Sequence, residues 1–162
     1  MKNRIQKNIF SMALFTFFCC IPYQQGFSQC SVKHIVKNYK ANIKPFKYDS
    51  YAMNDIIFTG NPQQIEVEFT AFAGQKYKLV FATSGFEENV TVNIYDHNNR
   101  SKKRKKMFDN DSGIDNLFWS FEPTKSGTYY IDYDIPPAGA GQAQQGCMVM
   151  LIGYIAPDIE QN

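Results

Sequence analysis

Residues 65–81 read IEVEFTAFAGQKYKLVF, and their order decides the fold. Ile65, Val67 and Phe69 alternate with Glu66, Glu68 and Thr70, the two-residue period of a strand with one face in a core and the other in water. Ala73-Gly74 is a turn signal, and beyond it Tyr77, Leu79 and Phe81 resume the same period against Lys78 and Val80. A helix, with 3.6 residues per turn, would scatter these side chains around its axis. Further along, Val90, Val92 and Ile94 alternate with Thr91 and Asn93, and Leu117, Trp119 and Phe121 form one face of a run broken at Glu122-Pro123. Tyr129, Ile131 and Tyr133 follow Gly127 as the inner face of another run. Cys147 to Ile155 is apolar on both faces, which predicts a central strand. Gly60-Asn61-Pro62, Ser84-Gly85, Ser126-Gly127 and the stretch Pro136 to Gly146 punctuate these runs. About six to eight short strands, beginning at residue 54, predict an all-β fold, an antiparallel jelly-roll-like β-sandwich. Ahead of them, Val32, Ile35, Val36 and Tyr39 fall at helical spacing within Ser31 to Ala41, so a short amphipathic N-terminal helix is expected.

The 162 residues carry 17 Lys+Arg and 15 Asp+Glu. Removing Lys2, Arg4 and Lys7 from the 17 basic residues leaves 14 against the 15 acidic ones, a nearly neutral body. Nucleic-acid binding is therefore not expected, since it needs an excess of cations facing the phosphates. The first 28 residues divide into a basic stretch (MKNRIQKN), an apolar run (IFSMALFTFFCCI) and a polar end (PYQQGFS), the layout of a secretory signal peptide. The apolar run has 13 residues, short of the roughly 20 that span a bilayer. Cleavage after Ser28 would leave a single domain at 29–162 with no transmembrane segment. Such a protein is expected in the periplasm or secreted.

Cys19 and Cys20 would leave with the signal, so the mature chain keeps Cys30 and Cys147. An even pair in an exported chain predicts a disulfide joining the extreme N-terminus to the last strand. The rival reading makes Cys30 the lipid-bearing first residue of a lipoprotein, although Phe27, Ser28 and Gln29 lack the small residue expected just ahead of a lipidated cysteine.

Three segments in order, FTAFAGQKYKLVF (69–81), ENVTVNIYD (88–96) and FWSFEPTKSGTYYIDYDI (118–135), resemble the bacterial pre-peptidase C-terminal domain. The resemblance covers about residues 65–153 and implies a small jelly-roll-like sandwich, an accessory module of secreted proteins. Gly74 and Gly127 suit turns that a Cβ would hinder. The family's Asp at the start of its "lyD" strand is replaced here by Glu88-Asn89-Val90. The helix and the cysteine pair lie outside the family pattern, as in a stand-alone exported protein of Bacteroidetes type.

Three constellations are candidates for function. Arg100, Lys102, Lys103, Arg104, Lys105 and Lys106 place six cations in seven residues, the makings of a mobile hairpin arm that contacts a polyanion; the alternative is a solvated tip whose lysines prevent edge-to-edge pairing. Asp109, Asp111 and Asp115 surround Gly113 with carboxylates at a spacing suited to Ca²⁺, but no Glu closes the loop at the twelfth place, Ser120, and an Asp/Gly-rich turn is the alternative. Parity puts Trp119 in the core with Leu117 and Phe121, leaving Phe118 and Tyr130 as outward aromatics that a sugar ring would stack on. His34 and His97 have no partner at ligand spacing, Glu66/Glu68 and Glu87/Glu88 are ordinary outer-face acids, and no Ser/His/Asp or Cys/His set is present. The expectation is a non-catalytic binding module without a cofactor, Ca²⁺ aside, whose partner is an envelope protein or glycan. A structural protein held by its basic arm to anionic polymer is the alternative, and an unrecognised hydrolase a further one.

Overall fold

The computed structural model describes residues 30–85, 90–110, 118–139 and 145–156. Within them, helix α1 (Val32–Tyr39) runs into a 3-10 turn at Lys40–Ile43, followed by eight strands: β1 Lys47–Ile57, β2 Gln63–Ala71, β3 Lys76–Ser84, β4 Thr91–Tyr95, β5 Lys106–Asp109, β6 Phe118–Phe121, β7 Gly127–Ile135 and β8 Gln145–Ile155. The expected signal segment, 1–28, lies outside the described residues.

Every strand pair is antiparallel: β1 with β8, β2 with β7, β3 with β6 and β4 with β5. This is one long ribbon folded so that successive pairs fall in alternate layers. β3 also pairs β8 and β4 also pairs β7, which completes two sheets, β1-β8-β3-β6 and β2-β7-β4-β5. A wrapped ribbon of this kind is a jelly-roll sandwich, as the alternating runs predict.

The inner faces meet where the sequence placed them. Phe69, Tyr77, Leu79, Phe81, Val92, Ile94, Ile131 and Tyr133 form the core with Ile56, Phe58, Met148 and Met150. Edge strands β5 and β6 are joined by aromatic packing: Trp119 stacks on Phe121 at 3.8 Å between centroids and contacts Phe108 and Tyr129. Trp119 thus faces inward, and Phe118 faces out beneath the Lys78 ammonium.

β8 lies between β1 and β3, and its apolar outer side is explained by a second cluster. Ile35 of α1 and Ile43 cover Val80, Ala82, Cys147, Val149 and Leu151. Cys30 is bonded to Cys147, 117 positions away, with Cα atoms 6.0 Å apart, so the helix is stapled to the sheet beneath it. Gly153 permits this cover, because a Cβ there would lie 2.5 Å from Ile43 Cγ2. At the far end Gly85 turns with φ +92° against the backbone of Gln145 and Gly146, where a Cβ would come within 2.9 Å.

Two local expectations are corrected. Strands begin at Lys47, not residue 54: the edge strand β1 opens with a bulge between Tyr48 and Ser50, and its inner positions Ser50, Ala52 and Asn54 are small or polar, so no apolar alternation marks it. Gly74 takes φ +80° as a turn glycine should, but Gly127 does not adopt a positive φ; it starts β7.

Candidate functional site

The outer face of the second sheet is polar by sequence parity, and its register lines up acids. Glu66 of β2 lies opposite Asp132 of β7, which lies opposite Asn93 of β4. Two carboxylates side by side repel unless a cation joins them. Arg104 supplies it. Its Nη1 and Nη2 donate to the two Asp132 oxygens at 2.7 Å each, Nη2 also reaches Glu66 Oε2 at 3.0 Å, and Nε donates to the His97 carbonyl at 2.9 Å. The guanidinium lies 3.5 Å from the centre of the Tyr95 ring. Asp132 is fully buried by this arrangement and Arg104 mostly so. Burial works against the arginine's charge, but Asp132, through hydrogen bonds and charge, with Glu66 and Tyr95, outweighs it and holds the pKa above its ordinary value.

The β4–β5 connection, 96–105, is accordingly fixed to the sheet. The Asn99 amide donates to Glu66 Oε2 at 2.8 Å, the Lys105 amide to Asp96 Oδ1 at 2.7 Å, and the Ser101 amide to the Asn98 carbonyl at 3.1 Å. Asp96 is held below the usual carboxylate range first by its hydrogen bond with His97, then by the Lys105 amide. The expected mobile arm is therefore an ordered loop, and Arg104 departs from the expected polyanion contacts: its donors are taken by Asp132, Glu66 and His97. Arg100, Lys102, Lys103, Lys105 and Lys106 remain exposed. Lys106 belongs to β5, with a 3.6 Å ion pair to Asp109.

Asp109, expected in the calcium loop, ends β5 opposite Asn93; Asp111 and Asp115 lie outside the described residues, as do Glu87 and Glu88. Asn110 caps the end of β4 instead, accepting from the Val92 amide at 2.8 Å. Phe118 and Tyr130 do not form one platform, because they lie on the outer faces of different sheets. His34 meets Asn38 and His97 meets Asp96, both on the surface.

Sequence reasoning missed one further feature. A groove of about 440 Å³ opens between edge strands β1 and β2, lined by Asp49, Ser50, Phe72, Gln75, Tyr77 and Tyr154 among others. The Tyr77 hydroxyl donates to Gln75 Oε1 at 2.6 Å and accepts from the Phe72 amide at 3.1 Å, which fixes the lining loop. The short loop 72–75 beside an aromatic run was the available signal.

No family model matches the chain, and no curated protein matches it. Among solved structures the chain is similar to Aeromonas hydrophila PliG, a periplasmic inhibitor of g-type lysozyme, with a TM-score of 0.45 and 20% identity, covering 69% of this chain and 90% of that one. For Salmonella Typhimurium PliG, also a periplasmic inhibitor of g-type lysozyme, the TM-score is 0.34 and the identity 13%, with 67% and 94% covered.

Proposed function

We propose that this chain is an exported, non-catalytic β-sandwich that holds an anionic polymer of the cell envelope through its β4–β5 loop. The Arg104 clamp carries the reading. A buried ion pair contributes little net stability relative to apolar packing, because desolvation consumes the Coulombic gain. What it supplies is position: the loop's geometry is set before any partner arrives, and Arg100, Lys102, Lys103, Lys105 and Lys106 are presented together at low ordering cost. The signal-like N-terminus and the Cys30–Cys147 bond support an oxidising compartment, periplasmic or outside the cell. The likeness to the pre-peptidase C-terminal domain fits an accessory module of this type.

The test is retention of the purified protein on an immobilised acidic polysaccharide as salt rises. Exposed charges are screened beyond about 8 Å at physiological ionic strength, so elution should shift to lower salt when Lys102, Lys103, Lys105 and Lys106 become Ser. Stability should change by no more than about 0.5 kcal/mol, as for other surface substitutions. Equal retention of variant and wild type would refute the loop as the site. The β1–β2 groove favours a second reading, a partner bound through apolar and fixed polar contacts. In that case binding would persist at high salt and disappear with Phe72→Ser.

A further inference from the structure

The cover on the first sheet has a charge pattern that the loop does not explain. From Cys30 to Tyr48 the chain has five lysines, Lys33, Lys37, Lys40, Lys44 and Lys47, and no acid. All five are exposed, and among the described residues none is ion-paired. Lys33 and Lys37 of α1 and Lys40, which follows in helical conformation as its C-cap, are spaced i, i+4 and i+7 and so project within an arc of about 60°. Lys40 shows which way that flank faces: its Nζ lies 4.6 Å from the centre of the Tyr48 ring, on β1.

Beside that flank, β1 leaves apolar side chains bare. Tyr51 is 50% and Met53 40% exposed. Their cross-strand partners are Leu151 and Val149, both beneath the helix, so these side chains are next to the lysine row. Tyr48 and Tyr51 interact, and burial together with Tyr51 and Asp49 raises the Tyr48 pKa. Two acids bound the patch. Asp55 lies opposite Cys147 beyond Met53, and Asp49 sits in the bulge, hydrogen-bonded by Ser50 at 2.7 Å and lining the groove. Glu66, Glu68, Asp132 and Asp134 lie on the other sheet.

From this juxtaposition we infer that the α1 flank and the adjoining outer face of β1 dock the protein on an anionic lipid surface. A soluble polyanion would satisfy the lysines and leave Tyr51 and Met53 in water. A membrane interface takes both: headgroup phosphates meet the ammonium groups, and the phenol and thioether enter the boundary with the acyl region. With the α1 flank on the lipid, the acids of β2 and β7 lie on the far layer, away from the headgroups. The docked protein presents its β2-β7-β4-β5 face outward.

The experiment is co-sedimentation of the oxidised protein with vesicles of phosphatidylglycerol and phosphatidylcholine, and with phosphatidylcholine alone. Binding is expected to the mixed vesicles only. Replacing Lys33, Lys37 and Lys40 with Ser should lower the partition coefficient at least tenfold at an unchanged melting midpoint, and Tyr51→Ser with Met53→Ser should lower it severalfold. The variant with Ser at Lys102, Lys103, Lys105 and Lys106 should bind vesicles like the wild type, which separates this surface from the polysaccharide-binding loop. Equal binding to both vesicle types, full binding by the helix-flank variant, or loss caused by the loop variant would overturn the inference. So would an unchanged partition for Tyr51→Ser with Met53→Ser, which would leave a soluble polyanion as the occupant.

Discussion

The outer face of the β1-β8-β3-β6 sheet buries Val80, Ala82, Cys147, Val149 and Leu151 beneath a helix, whereas the outer face of β2-β7-β4-β5 buries Asn93 and Asp132 beneath one arginine and its loop. The first cover is non-directional: each large aliphatic side chain taken from water contributes about 1.5–3 kcal/mol, whichever neighbour does the covering. The second depends on two 2.7 Å bonds from a planar guanidinium, and its net contribution to stability is small. One face supplies stability, and the other supplies a fixed loop.

Breaking the polar cover from one side tests this division most severely. Asp132→Ala leaves Arg104 with Glu66 as its one carboxylate partner and should cost about 3–5 kcal/mol, read as a shift in the urea midpoint. Arg104→Met combined with Asp132→Leu should recover most of that loss and still free the loop, with faster amide exchange at 97–105. A double variant as unstable as the single one would mean the clamp stabilises as well as positions. On the apolar side, reducing Cys30–Cys147 should cost about 2–5 kcal/mol, as for other native disulfides, and speed exchange in α1 first. If α1 stays protected, its packing alone holds the cover.

Gly153→Ala sharpens the same comparison at one methyl group. The new Cβ would meet Ile43, whose branched side chain has little room to move, and overpacking of this kind costs about 1–3 kcal/mol. Thermal denaturation of the variant gives the number, and an unchanged midpoint would show that the cover shifts without loss.

The smallest effect concerns Tyr133, next to Asp132 but on the inner side of β7. Its hydroxyl is buried with no hydrogen-bond partner among the described residues. Tyr133→Phe should therefore be nearly neutral at pH 7, since no hydrogen bond is lost. Burial holds the folded pKa above the ordinary value of 10.0. The neutral form is thus favoured by folding: the contribution is complete below about pH 10 and is lost as pH rises toward the higher folded value. Wild type should lose stability across that alkaline range faster than Tyr133→Phe. Parallel curves would mean the hydroxyl has a partner in solution.

Alternation made β2, β3, β4, β6 and β7 legible, since each places an apolar side chain on its inner face at every second residue. It also read β8 as central, because a strand apolar on both sides must be covered twice; the cover is α1. β1 was not legible. Its first residues, Lys47-Tyr48-Asp49-Ser50, cross a bulge that shifts the parity, and an edge strand shows water to more of its side chains. Arg104 was not legible either, because inside a run of cations nothing local distinguishes the one that turns inward. The distinguishing signal is remote: Glu66 and Asp132 fall opposite each other only once β2 and β7 are paired. The groove depends on two strand edges, β1 and β2, that belong to different sheets.

The wrapped ribbon also governs when the molecule can form. Its central hairpin, β4–β5, joins neighbours in the chain, whereas β1 pairs with β8 in the register Lys47 to Tyr154 and Ile57 to Gln145. Closure therefore proceeds toward pairs of ever larger sequence separation, the kind of topology that folds slowly. A chain emerging N-terminus first, from a ribosome or through a secretion channel, holds β1, α1 and Cys30 in waiting, since β8 supplies the pairing edge, the apolar floor and the second sulfur at once. Until β8 has emerged, the first sheet has no centre and α1 has no apolar floor to pack on.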